Sequence, residues 1–263
     1  MSDTPARTSL QKQLIDDAAA LYRPAGRFAW HFARGKLTRD PLFVTLLRVG
    51  AIPDASCLVD LGCGQGLLAA WLFVARKRWV PMQTPTQTMP EGWPVEWPAP
   101  PKVGTYLGID QSRNDIARAH RALPPYARSF RGDVRTLGTT LLDRCDVATL
   151  FDVLQYLAPA AQEQLLSAVY AGLPPWGALL LRVGDGASTL ASRWSNTVDL
   201  FICAVRGHPR LRLHRRPVAE WIAVLERIGF RVEVLDDERT DPASQFANVL
   251  LRASRPEAAL PLR

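Results

Sequence analysis

Short apolar runs alternate along the chain with segments in which apolar side chains recur every three or four residues, the mark of strands and helices taken in turn. Runs at 57–61, 105–110, 127–131, 146–151, 178–183, 230–235 and 248–252 predict seven strands. Helical periodicity at 66–78, 113–122, 159–172 and 218–229 puts a helix between most of them. Parallel strands need such crossovers, so the pattern predicts an α/β fold: a doubly wound, mostly parallel sheet with helices on both faces. Residues 236–244 are polar and lack a helical period, so the last two strands are joined by a hairpin connection and the sheet ends in an antiparallel pair. Turn chemistry supports these boundaries. Ser112 with Asp115 three residues on makes a capping-box pattern, Pro159 suits a first helical position, and Pro174, Pro175, Trp176 and Gly177 form a turn into the fifth strand.

Three segments stand outside the alternation. Residues 1–50 carry amphipathic helix patterns at 10–22 and 41–49 and are expected to form a helical cover over the active site. Residues 79–102 hold seven of the 21 prolines and three of the eight tryptophans, a density that excludes a helix or a central strand. We read them as an insertion at a helix–strand junction, away from the strands' carboxyl ends, and as a surface elaboration or partner contact in preference to a catalytic element. Residues 187–216 form an amphipathic insertion after the fifth strand, expected to act as a lid. The main domain is then 51–254, and 255–263 is expected to be a loose tail.

Composition narrows the class. The chain has 263 residues, 48% hydrophobic and 22% charged, the profile of one ordinary globular domain. Cys57, Cys63, Cys145 and Cys203 form no C-x-x-C pair and have no histidine at ligand spacing, which argues against a zinc site and a disulfide framework. No metal is expected, and a reducing cytoplasm fits best. The longest apolar run, 67–75, is nine residues, too short to span a membrane. A net charge of +7 favours acidic partners, whether nucleic acid, phosphorylated ligand or acidic protein.

The stretch VDLGCGQG at 59–66 closes the first strand and opens a helix. Gly62, Gly64 and Gly66 let the backbone turn tightly and approach a ligand, and the helix N-terminus offers N–H groups to a negative group. Asp60 precedes the glycines, Asp110 ends the second strand in GID, and Asp133 follows the third in RGD. All three fall at carboxyl ends of strands, where open α/β sheets bind ligands. The third glycine comes one residue too early for the dinucleotide pattern G-x-G-x-x-G, so NAD is the weaker reading.

At these residues the chain resembles the class I S-adenosylmethionine-dependent methyltransferases, over roughly 55–252. The likeness lies in VDLGCGQG, GID, RGD, DVLQYL at 152–157 and LPPWGALLLRV at 173–183. It implies a Rossmann-like, seven-stranded sheet with a reversed last strand and S-adenosyl-L-methionine as cofactor. It further implies that the loop with Asp60, Gly62, Cys63, Gly64 and Gly66 surrounds the methionine part and that Asp110 accepts the ribose hydroxyls. Gln111 would lie under the adenine and Asp133 accept from its amino group, with Val134 and Phe151 completing the set. Asp110 lies 50 residues after Asp60, whereas about 20 is usual from loop to ribose acid; the 79–102 insertion accounts for the excess. The segments YRPAGRFAWHFARGKLTRDPLF at 22–43, DVLQYL with AQEQLL after it, and Arg-Gly-His near 206 resemble methyltransferases of bacterial aryl-polyene or xanthomonadin-type pigment synthesis. Many of those relatives have histidine where this chain has Gln155. That likeness implies a phenolic or polyketide-like small-molecule acceptor, free or presented by an acyl carrier protein.

Methyl transfer is an in-line displacement, so the protein aligns nucleophile and methyl and excludes water. A phenol must also lose a proton, with pKa near 10, for which histidine is a suitable base. His31, in an aromatic-rich segment with Tyr22, is a catalytic candidate, weighed against a packed or surface role. Asp152 and Tyr156 follow the fourth strand and are catalytic candidates too, although Tyr156 also reads as packing. Tyr22, Gln155, Arg206, Arg212 and Arg215 are candidates for acceptor binding. The run Arg206, Arg210, Arg212, Arg215 and Arg216 has no acidic residue between Asp199 and Glu220; it reads as a solvated face or as a phosphate or carrier contact. Two rival readings are an RNA methyltransferase and a non-catalytic cofactor-binding scaffold. Nucleic acid is not the expected partner, because an appended RNA-binding module, an N-P-P-Y-type tetrapeptide and a Lys/Arg–aromatic surface pattern are all missing from the sequence.

Overall fold

The computed structural model describes residues 4–79, 92–136, 141–143, 145–184, 213–237 and 248–257. Seven strands run in the order β3-β2-β1-β4-β5-β7-β6. They are β1 (Ala55–Leu61), β2 (Val103–Asp110), β3 (Ala127–Arg131), β4 (Val147–Phe151), β5 (Ala178–Gly184), β6 (Arg231–Asp237) and β7 (Asn248–Ser254), each within two residues of its expected ends. The helices are α1 (Thr4–Ala20), α2 (Arg27–Arg39), α3 (Leu42–Arg48), α4 (Leu67–Trp79), α5 (Arg113–Ala122), α6 (Pro159–Gly172) and α7 (Val218–Ile228). None of the described helices is long and apolar enough to cross a membrane. The chain forms two compact units, residues 1–133 and 134–263.

In the first unit β1 pairs with β2 and β2 with β3, all parallel. Helix α4 is buried along almost its whole length, with Trp71 at its centre and Phe43 edge-on to it at 6.0 Å. Helix α5 buries Ile116, Ala119 and Ala122 on one stripe. Its cap differs from a reciprocal capping box: Ser112 Oγ accepts from Asp115 N at 3.2 Å, while Ser112 N donates to Asp110 Oδ1 at 2.8 Å and Asp115 pairs with Arg118. The helix α2 was not expected. It buries only Ala29, Ala33 and Leu37, so small residues at four-residue steps gave little apolar contrast against the surrounding arginines and aromatics.

The proline-rich insertion is also more than a surface elaboration. Trp79, Trp93 and Trp97 are all buried and meet edge to face, at 5.1 Å and 6.0 Å between centroids. Such contacts add to the large apolar area each indole removes from water. Arg76 Nη1 donates to Pro100 O at 3.2 Å, tying the segment to α4. Residues 80–91 of the insertion lie outside the described residues.

In the second unit β4 and β5 are parallel, and β7 runs antiparallel to both β5 and β6, as the polar hairpin connection predicted. The 174–177 turn places Trp176 at φ 63, and Gly177 N donates to Pro174 O at 2.9 Å. Residue 255, expected to open a loose tail, is instead held to the fifth strand's turn. Arg255 exchanges backbone hydrogen bonds with Trp176 and Gly177, and its guanidinium reaches Leu173 O. Residues 258–263 lie outside the described residues.

Candidate functional site

The glycine loop is shaped by backbone conformation. Gly62, Gly64 and Gly66 have φ of 86°, 55° and 74°, values that L side chains rarely adopt. The loop is fastened to β2 from several points. Gly62 N and Cys63 N both donate to Ile109 O, at 2.7 and 3.0 Å, and Gly64 N donates to Asp110 Oδ2 at 2.9 Å. Asp110 therefore holds the glycine loop with one oxygen and its own turn, through Ser112 N, with the other. Its carboxylate is only half-buried and keeps lone pairs for a ligand. Gln111 is exposed and Asp133 half-buried, both directly beyond strand ends. Directly after the loop, α4 begins, so the positive end of its dipole faces the same place.

Behind the loop lies a buried polar cluster. Asp60 is 4% exposed and accepts from Tyr106 Oη at 2.5 Å. Tyr22, fully buried, donates to Gln65 O at 2.9 Å, so the N-terminal helices are tied to the loop through a residue expected to meet the acceptor. Burial pushes the Tyr22, Tyr106 and Cys63 pKa values up, and the Asp60 charge adds to the effect in all three. Cys63 is thus a neutral thiol, packed so closely that a Cβ on Gly108 would lie 2.8 Å from its Sγ. Gln65 is 2% exposed, and among the described residues neither atom of its side-chain amide has a hydrogen-bond partner. An unpartnered buried amide is costly, which marks a place where an incoming polar group is favoured.

In the second unit the turn after β4 gathers Asp152, Gln155 and Tyr156. Asp152 sits at φ 58, an uncommon backbone conformation, and Arg182 from β5 donates to both of its carboxylate oxygens. Arg182 is 4% exposed, so this is a buried guanidinium with a half-buried counter-ion. Gln162 of α6, fully buried, closes the other end of the turn. Its Nε2 lies at hydrogen-bond distance from Leu154 O, Leu157 O and His214 O, and its Oε1 accepts from Arg216 Nε at 2.9 Å. His214 N donates to Gln155 O at 2.7 Å. Residues 213–216, the last part of the expected lid, are thereby strapped to the turn.

Most of the described basic run is spent on structure. Arg216 is 8% exposed, pairs with Glu163 and Glu220 and lies over Trp221, which removes it from the solvated face expected for the run. Arg215 packs its guanidinium against Gly184, where a Cβ would lie 2.8 Å away. Arg206 and Arg212 lie outside the described residues. His31 is exposed on α2 with its ring 4.5 Å from Trp30. Val134 opens a single helical turn, Val134–Thr136, and Phe151 ends β4. Sequence reasoning missed Gln65, Tyr106, Arg182 and Gln162. Gln162 lay inside the AQEQLL segment already singled out, whereas nothing in the sequence pointed to Arg182 within its apolar strand.

The sequence matches a family model described as a methyltransferase domain over residues 29–235. No curated protein matches it. Solved structures similar to the chain include a methyltransferase complexed with the Trm112 activator from Haloferax volcanii, at TM-score 0.58 and 17% identity, covering 85% of this chain and 92% of that one. Human N-acetylserotonin methyltransferase in complex with SAM also aligns at TM-score 0.58 and 15% identity, over 92% of this chain but 59% of its own. Magnesium protoporphyrin IX methyltransferase from Synechocystis PCC 6803, with bound SAH, aligns at TM-score 0.51 and 16% identity, over 94% of this chain and 99% of that one. At these identities the likeness is one of fold.

Proposed function

Because the chain belongs to the methyltransferase-domain family, we propose that it uses S-adenosylmethionine to methylate a small aromatic acceptor, free or presented by an acyl carrier protein. The observation that carries the cofactor is the glycine loop: three glycines at positive φ, with Gly62 N held on Ile109 O and Gly64 N on the carboxylate of Asp110. The residues fit the group. Asp110 would accept from the ribose hydroxyls, and the unsatisfied Gln65 amide offers a donor and an acceptor to the methionine end. Gln111 and Asp133 would serve the adenine. When bound, the cofactor supplies an electrophilic methyl group on a sulfonium.

The protein's own part is alignment and exclusion of water. Asp152 is engaged on both oxygens by Arg182, which makes it a poor proton acceptor and a good anchor for the turn. Gln155 and Tyr156, half-exposed on that turn, are our candidates to contact the acceptor. Cys57, Cys63 and Cys145 form no disulfide among the described residues, in keeping with a cytoplasmic setting. The role in aryl-polyene-type pigment synthesis rests on the resemblance of residues 22–43 and 152–157 to those enzymes. Transfer of labelled methyl to free and carrier-bound phenolic acids is the test. Transfer to RNA instead, or cofactor binding with no transfer to any acceptor, would replace this reading by one of its rivals.

A further inference from the structure

Helix α2 turns an unusual face outward. Its buried stripe is Ala29, Ala33 and Leu37, and on the opposite side Arg27, Phe28 and His31 are exposed, Phe28 at 52%. Between Asp17 and Asp40 the chain holds five basic and no acidic residues. Arg34 is paired with Asp16 at 3.0 Å and Lys36 with Asp40 at 2.7 Å. Arg23 and Arg27, by contrast, are exposed and form no ion pair with any described residue. This face therefore combines uncompensated positive charge with an apolar ring held out in water, a combination that marks a contact surface.

The state of the aromatic rings decides what kind of polyanion it fits. Arg118 of α5, itself tied to Asp115 at 2.8 Å, lays its guanidinium over Phe28 at 4.5 Å, and Phe32 stacks beside that ring at 6.2 Å and 19°. Arg23 lies over Trp30 at 5.9 Å, and His31 tilts against it at 4.5 Å. Nucleic acid bound on such a surface would stack its bases on open ring faces. Here Phe28 and Trp30 each already carry a guanidinium over the ring, so these rings are not bare stacking platforms. We propose that the α2 face docks an acidic, amphipathic segment of a partner protein, its carboxylates meeting Arg23 and Arg27 and an apolar side chain meeting the edge of Phe28. Charge complementarity of this kind steers encounter and sets specificity, with the ring as the central anchor.

The test uses the full chain and a fluorescein-labelled peptide of glutamate, alanine and leucine with all its leucines on one helical face. Controls are the same peptide with lysine for glutamate and a short oligouridylate RNA. The acidic peptide should bind, and weaken at least about tenfold between roughly 50 and 300 mM salt. The double variant Arg23→Glu/Arg27→Glu should weaken it at least about tenfold and Phe28→Ala about threefold or more, with cofactor affinity unchanged as the sign of an intact fold. Arg27→Gln, which keeps the helix, decides the matter should the double reversal disturb folding. No binding of the acidic peptide at low salt, equal binding of the lysine peptide, tighter binding of the RNA, or indifference to these substitutions would each overturn the proposal.

Discussion

Gly62 owes its identity to conformation, since a residue at φ 86° inside a loop bonded to β2 tolerates no branched side chain. Gly62→Val should abolish cofactor binding in calorimetry. Asp110→Ala removes acceptors for Gly64 N and Ser112 N and, on the proposed function, for the ribose, and should weaken cofactor binding by about 1.5–3 kcal/mol. Unchanged affinity in both variants would sink the cofactor assignment. Asp152 carries a different kind of debt. Asp152→Ala takes this counter-charge from Arg182, which is almost fully buried, so stability to denaturant should fall by about 3 kcal/mol, more than for an exposed pair. A loss below about 1 kcal/mol would show that the pair is incidental.

At the scale of elements, the 79–102 insertion and the end of the basic run behave differently from what composition suggested. Exchanging residues 83–98 for a Gly/Ser linker would cost about 0.6 kcal/mol per doubling of length if they were peripheral. Because Trp93 packs edge to face against both Trp79 and Trp97, that exchange should instead destabilise the protein, and Trp93→Ala by itself should cost about 3–5 kcal/mol. Thermal and denaturant unfolding would tell the two expectations apart. The Gln162–Arg216 strap sets a similar limit on charge reversal. Arg216→Glu would set a third carboxylate against Glu163 and Glu220, whereas Arg206, Arg210 and Arg212 lie outside the described residues. Reversing those three to glutamate should leave cofactor binding intact and raise the Michaelis constant for a carrier-bound acceptor, with the difference narrowing at high salt. Unchanged kinetics at low salt would return them to a solvated face. The strongly periodic helices α5 and α7 were legible from sequence; α2 was not, because alanine supplies its contact surface.

Across the whole molecule, buried phenols tie stability to alkaline pH. Burial pushes Tyr126 up to about 12 and raises Tyr22 and Tyr106 as well. A phenol whose pKa is higher folded than unfolded stabilises the native state fully below the unfolded value near 10, and that contribution fades as pH climbs through the folded one. Stability should therefore show no tyrosine-linked loss up to about pH 9.5 and fall beyond it, less steeply in Tyr126→Phe; an equal slope in that variant would exclude Tyr126 as a source. What the sequence by itself determined is whatever local periodicity and local chemistry express: the seven strands, the helices with strong apolar contrast, and the glycine loop with its strand-end carboxylates. Tertiary structure alone decided which polar side chains are spent on one another. Asp152 with Arg182, Tyr106 with Asp60 and Gln162 with Arg216 are separated by 30 to 54 residues. A hydrogen bond between side chains that far apart leaves no period and no spacing in the chain. It exists only once the strands and helices that carry them have packed.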